Sequence, residues 1–237
     1  MSIPPALLAL GILLIFGIIV VLMIRTSQRE KLDQENQLRQ LGFTPLQTVP
    51  LELKRRLGDL YDPTGEREIQ VWQVYQRREM DQDLYVFDAV DTRGDDSEIG
   101  TEMFGVISSQ LVLPRFSLIT LPSFDRDSLM GRLMDKVLDK VMSFAEGRLQ
   151  LEKVELPDRP GQDDRMVVFG QDPDAVREML DRVRITNIRT GDLPVQIGGI
   201  GDLLTVDFSS DSDINQTGHD LASRYQTFVE ISRRFMD

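Results

Sequence analysis

The pattern of apolar and polar residues separates one long apolar run from a region of shorter, mixed patterns. Residues 3–24 carry no charged side chain and are almost wholly apolar. As a helix, such a run is roughly 33 Å long, which is enough to cross a hydrocarbon core of about 30 Å. No positive segment precedes it and no small-residue cleavage site follows it, which favours an anchor over a signal peptide. We therefore expect a transmembrane anchor at residues 1–25.

The residues after the anchor indicate how the chain is oriented. Residues 26–42 contain many helix formers and only a thin apolar face, which predicts a polar juxtamembrane helix ending at Gly42. Basic residues follow the anchor and none precedes it. By the positive-inside rule, this predicts an outside N-terminus and a domain in the cytoplasm, at the inner membrane of a bacterium.

Residues 43–237 are expected to form one soluble α+β domain. Four runs with strand character, at 68–76, 84–91, 102–109 and 115–121, are joined by short polar links. Alternating side chains and short links predict an antiparallel meander with one face that needs cover. Further strands are predicted at Leu151–Leu156 and Met166–Phe169, and a hairpin at Pro194–Ile197 and Leu203–Phe208.

Three helices are predicted in this domain besides the long one considered next. Residues 51–60 place Leu53, Leu57 and Leu60 on one side. Asp172-Pro173-Asp174 is a helix start, since aspartate caps and proline suits the first position. A last helix is predicted at 218–236. Its inward residues are Leu221, Tyr225, Phe228, Val229, Ile231 and Phe235.

Residues 127–145 form the most amphipathic stretch of the domain. Apolar side chains recur at i, i+1, i+4 and i+5, with charged residues between them. Two interpretations stay open: the helix packs on the sheet, or it contacts a partner protein or a membrane surface. The residues of this stripe are Leu129, Met130, Leu133, Met134, Val137, Leu138, Val141 and Met142.

Composition and charge narrow the classes of function. The formal net charge is −12, so phosphate backbones and anionic lipid surfaces repel the domain, and we expect no nucleic-acid partner. The chain has no cysteine, which excludes disulfides and thiolate chemistry. With a single histidine besides, neither a zinc site nor a cofactor is expected.

Other short motifs lack the spacing that their chemistry requires. Gly198–Asp202 has neither a dinucleotide fingerprint nor a phosphate-loop lysine, so it predicts a turn. The stretch from Asp211 to Asn215 opens like a calcium loop but lacks its glycine and its final glutamate. No nucleophile-elbow sequence accompanies His219, and the acidic pairs at 95–96 and 163–164 lie in polar loops. We therefore expect no catalytic site.

Several segments resemble a family of bacterial single-pass membrane proteins of unknown function. They are the anchor, LGF at 41–43, LYVFD at 84–88, LPRFSL at 113–118, FGQDPDAVREML at 169–180 and DLLTVDF at 202–208. The long helix at 127–145 departs from that pattern, where a shorter, glycine-rich link is expected. The resemblance implies architecture and membrane attachment and assigns no site.

Two hypotheses of function remain from the sequence. The first is a membrane-anchored, non-enzymatic interaction or assembly protein that contacts a membrane or cytoplasmic protein through helix 127–145. The second is a small-molecule or lipid-binding module, or an enzyme whose site the sequence does not reveal, tethered to the membrane. A stoichiometric partner would favour the first, and a ligand-dependent rise in melting temperature would favour the second.

Overall fold

A computed structural model describes residues 31–66, 69–92, 98–120, 144–156, 166–183, 195–208 and 221–237. The chain divides into two compact units, Met1–Gly42 and Phe43–Asp237. In the first unit, residues 31–40 are helical, and the helix ends at Gly42 with a φ of 85°, as predicted. The predicted anchor lies outside the described residues. Within those ranges, no helix has the length and apolar character needed to cross a membrane.

The second unit is an α+β structure, as predicted, built on an antiparallel sheet. Among the described residues its α-helices are α1 (Leu51–Tyr61), α2 (Pro173–Val183) and α3 (Leu221–Met236), and a short π-helix lies at Phe144–Arg148. The strands are β1 (Thr44–Pro45), β2 (Ile69–Glu79), β3 (Gln82–Asp91), β4 (Glu98–Ser108), β5 (Leu113–Thr120), β6 (Glu152–Lys153), β7 (Met166–Gly170), β8 (Val195–Gly201) and β9 (Leu203–Asp207).

The order of the strands corrects the predicted four-strand meander. The described strands form one sheet in the order β1-β2-β3-β4-β9-β8-β5-β7-β6, so the β8–β9 hairpin lies between β4 and β5. All five residues of β9 are buried. A strand that is buried on both faces belongs in the middle of a sheet, which is the physical reason for the insertion.

A bulge in β2 changes the predicted alternation of its side chains. The pairing with β3 shifts between Trp72 and Tyr75, and Gln73 has a φ of 51°. The extra residue reverses which side chains face inward, so Ile69 and Val74 are both buried although they are five positions apart. Trp72 stays exposed.

Helix α1 covers part of one face of the sheet, called here the first face. Three of its four leucines, Leu53, Leu57 and Leu60, and Tyr61 are buried in one cluster with Tyr85, Phe87 and Phe169, which confirms the predicted inward side of this helix. Small residues in neighbouring strands make room for it. An added Cβ at Gly198 would lie 3.1 Å from Leu60 Cδ2.

The opposite, second face carries α2 and α3. Phe104 stacks on Phe228 with ring centroids 5.3 Å apart, and Phe116 stacks on Phe235 at 5.7 Å. Val176 of α2 lies against Gly170 of β7. Gly170 is paired with Phe116 of the neighbouring strand β5. Two amphipathic helices therefore bury the aromatic side chains of this face.

The helix start at Asp172 is confirmed, and other predicted details are corrected. Asp172 Oδ1 accepts hydrogen bonds from the backbone N–H of Asp174 and of Ala175, both at 3.1 Å. The strand predicted at Leu151–Leu156 is reduced to Glu152–Lys153. In α3, Val229 is half-buried, whereas Ser232 is buried, and its hydroxyl is satisfied by donating to Phe228 O.

Gly198, Gly199 and Ile200 are in strand β8, not in a turn as predicted. The two-residue turn is Gly201-Asp202, where Gly201 has a φ of 57°. Glycine is needed in the strand because neighbouring side chains occupy the space of a Cβ: at Gly199 these are Phe116 and Leu113. Close packing, rather than turn geometry, therefore accounts for these glycines.

Candidate functional site

The structure leaves several predicted site residues untested. The apolar stripe at 129–142, His219, the calcium-like stretch 211–215 and the acidic pairs at 95–96 and 163–164 all lie outside the described residues. Within the described part, no group of three or more acidic or histidine side chains is arranged to hold a metal ion. The stripe therefore remains a predicted contact helix.

The basic triplet at 54–56 is divided between solvent and a structural ion pair. Lys54 and Arg55 are exposed, and Arg55 pairs with Glu52 on the same helix at 2.6 Å. Arg56 Nε lies 3.2 Å from the same Glu52, and Arg56 also contacts Asp202 in the β8–β9 turn, with Nη2 donating to Oδ2 at 2.8 Å. One of the three charges thus fixes α1 to the sheet and is not available for lipid contact.

Arg115, in the LPRFSL segment, is buried beneath α1 with 6% of its surface exposed. Its Nε and Nη2 donate to Leu60 O at 3.1 and 2.8 Å. A carbonyl in the last turn of a helix lacks an intrahelical hydrogen-bond donor and carries partial negative charge. The guanidinium supplies both the missing donor and a compensating positive charge. Burial lowers the pKa of Arg115, which still remains a cation. Its role is structural.

A short polar chain continues across the first face. Tyr61 Oη lies 3.3 Å from Thr205 Oγ1, which in turn donates to Gly198 O at 3.3 Å. Burial raises the pKa of the Tyr61 phenol. The phenol therefore stays protonated and anchors the end of α1 to the centre of the sheet.

Asp207 is the most unusual titratable group in the described part of the sheet. It ends β9 with only 6% of its surface exposed, and its Oδ2 lies 2.8 Å from where a Cβ on Gly100 would be. Burial raises the pKa of Asp207 from 3.8 to about 7, and the charge of Arg224 partly opposes that effect. A carboxyl with such a pKa can exchange protons near neutral pH.

Arg224 of α3 links the surroundings of Asp207 to strand β4. It pairs with Glu102, which sits at a bulge with a φ of 51°. The backbone N–H of Glu102 donates to Asp88 Oδ1 at 2.8 Å. Asp88, the last residue of the LYVFD segment, therefore stabilises a bulge through its side chain.

The outer edge of β2 is a second candidate site, after the buried carboxyl of Asp207. Strand β1 pairs only with Tyr75 and Gln76, and one further bond joins Leu46 N to Val74 O at 2.8 Å. In the part of the chain that the structure describes, no strand pairs with the outer edge of residues 69–73. Trp72, 40% exposed, lies in this open stretch. An unpaired edge is a template for another strand.

The sequence pattern contained signals for both sites that the prediction did not use. Asp207 lies in the run LLTVDF at 203–208, whose five other residues carry no charge, and such a run is typical of a buried strand. Trp72 falls on the side of β2 opposite Ile69 and Val71, which places it outside the first-face core.

No protein-family model matches this chain, and neither the curated proteins nor the solved structures contain a match. The comparisons therefore carry no fold, activity or partner to it. The resemblance to bacterial single-pass membrane proteins stays a prediction from the quoted segments.

Proposed function

We propose that this chain is a non-enzymatic interaction or assembly protein, anchored in the inner membrane of a bacterium by residues 3–24. The observation that carries the proposal is the open edge of β2 with its exposed tryptophan. Main-chain groups on such an edge bind an added strand, and an aromatic side chain beside it supplies contact area. The excess of basic residues after the anchor supports a cytoplasmic domain.

The predicted contact helix offers a second surface for the same function. Its apolar stripe, 129–142, is long enough to form a groove-binding face on a partner. Met134→Glu tests this: loss of a partner with an unchanged melting temperature supports a contact surface. A fall in melting temperature would instead assign the helix to the core.

The proposal is tested by a pull-down of tagged, full-length protein in mild detergent, read by mass spectrometry with an untagged copy co-expressed. Trp72→Glu is compared with Val112→Glu, which places the same charge on another exposed apolar residue. We expect a stoichiometric partner, either another protein or the untagged copy, that Val112→Glu retains and Trp72→Glu loses. Absence of any partner from the wild-type protein would reject the proposal.

A further control replaces residues 3–24 with a foreign transmembrane helix. A partner that is retained places the interface in the domain, as proposed. Loss of the partner would show that the interface lies in the bilayer, and the edge of β2 would then not be the binding surface.

One observation favours a second candidate function, a small-molecule or lipid-binding module or an enzyme. The buried Asp207 has a pKa of about 7, which is suited to holding or exchanging a proton on a bound ligand. A ligand that raises the melting temperature of the wild-type protein, but not of Asp207→Asn, would support this alternative.

A further inference from the structure

We propose that the open edge of β2 binds a second copy of this chain, in an antiparallel pair formed by residues 69–73 of each copy. This inference rests on the proposed function, because it names the partner that binds one of the two proposed contact surfaces, the open edge of β2. These five residues are enough for a ladder of several hydrogen bonds. The contacts of β2 with β1 and with Leu46 N begin only at Val74.

The charge pattern along β2 favours a like partner at this position. With a net charge of −12, two copies repel one another over most of their surface. Residues 69–73, IQVWQ, carry no charge, whereas 77–79, RRE, are all charged. Edges that avoid pairing usually carry charges, proline or a bulge. Residues 69–73 have neither charge nor proline, and the bulge of β2 begins only after Trp72, so residues 69–72 are a place where two acidic copies can approach.

The other edge of the sheet explains why the association stops at two copies. There β6 pairs with Phe169 and Gly170, and Val154 N donates to Val168 O at 2.8 Å. Within the described residues, this leaves open on that side only Met166 and Val167 of β7 and the outer edge of the two-residue strand β6, both shorter than the stretch 69–73. A two-fold pair through β2 uses the longer free edge and therefore closes on itself.

The two-fold symmetry fixes which residues meet. An antiparallel pair of identical strands about a two-fold axis places one residue opposite its own copy, and the centre of the open stretch is Val71. Trp72 then lies opposite Gln70 of the other copy, with Cβ atoms about 5 Å apart. The exposed indole loses solvent contact on pairing. Confinement of both copies to one membrane raises their effective concentration, so a short ladder suffices.

The experiment is a cysteine scan of the full-length protein in detergent, made possible because the chain has no native cysteine. Gln70, Val71, Trp72 and Gln73 are replaced singly by cysteine and mildly oxidised. Val112→Cys, at a valine 77% exposed between β4 and β5, is the matched control for Val71→Cys. A residue opposite its own copy meets the Cα distance that a disulfide requires.

We expect a disulfide-linked dimer that peaks at Val71→Cys, at least fivefold above Val112→Cys. We also expect the emission of Trp72, the only tryptophan, to shift to shorter wavelength as the concentration of the wild-type protein increases. Crosslinking at none of the four positions above the control would overturn the inference.

The outcome separates this inference from the proposed function. If the scan is negative but Trp72→Glu still loses another protein in the pull-down, the edge binds a different partner and only the second copy is rejected. If the scan is negative and the wild-type protein captures nothing, both proposals fail.

Discussion

Arg56 and Asp202 form a two-point ion pair between residues that are far apart in sequence. Arg56 Nε lies 2.7 Å from Asp202 Oδ1, and Nη2 donates to Oδ2 at 2.8 Å. One residue is on α1 and the other is in the β8–β9 turn. The pair therefore joins the first helix of the domain to a hairpin near its end, over the centre of the sheet.

We expect loss of this ion pair to destabilise the domain. Both side chains are mostly shielded from solvent, so Arg56→Ala should lower the free energy of unfolding by about 1–3 kcal/mol. Denaturant unfolding of the full-length protein in detergent measures this change in the free energy of unfolding. Arg55→Ala is the control: Arg55 pairs only at the helix surface, and a change below about 0.5 kcal/mol is expected. Equal losses would show that Arg56 contributes no more than a surface charge.

The buried carboxyl of Asp207 predicts how stability depends on pH. Its pKa is raised from 3.8 to about 7, so the folded state keeps the proton over a pH range in which the unfolded state loses it. Stability should therefore fall as the pH rises from about 4 to 7 and be level above, with a total effect of up to about 4 kcal/mol. Melting temperatures between pH 5 and 8 measure this decline.

Asp207→Asn removes the titrating group and keeps the side chain's shape. It should weaken the decline with pH and stabilise the protein at pH 8 relative to the wild type. An unchanged slope would mean that Asp207 is already ionised in the folded state at pH 5.

Two glycines should respond to alanine in opposite directions. At Gly199, a Cβ would overlap the ring of Phe116 and lie 2.9 Å from Leu113 Cδ1, so Gly199→Ala should cost about 1–3 kcal/mol. At Gly58, within α1, no described atom outside the helix's own backbone lies within 4 Å of the added Cβ, and alanine should stabilise the helix by about 0.5–1 kcal/mol. Stabilisation by both substitutions would contradict the close packing described for β8.

The cap of α2 can be tested with one substitution. Asp172 accepts two backbone N–H groups at the start of the helix, so Asp172→Ala should cost about 1 kcal/mol. Asp172→Asn is the conservative control, since its side-chain oxygen still accepts, and it should lose less. Chemical denaturation compares the three proteins. Equal losses would assign the effect to charge near the helix end rather than to the cap.

Local signals were enough to predict most elements of the domain. The i, i+3, i+4 spacing of its leucines predicted α1, and the Asp-Pro start predicted α2. The existence of β2 to β5 followed from runs of β-branched and aromatic residues between polar links. Each of these signals acts within a few residues, where hydrogen bonding and side-chain spacing determine the backbone conformation.

The sequence by itself determined the α+β class of the domain, the buried side of α1, most of the buried side of α3 and the net charge of −12. The tertiary structure decided which strands are neighbours. It placed the β8–β9 hairpin between β4 and β5, since all five residues of β9 are buried, and a strand that is buried on both faces lies in the middle of a sheet. It also buried Asp207 and, among the residues that the structure describes, left the outer edge of 69–73 in β2 without a paired strand. Both depend on contacts between residues distant in sequence, and a pattern along the chain does not encode which distant segments meet.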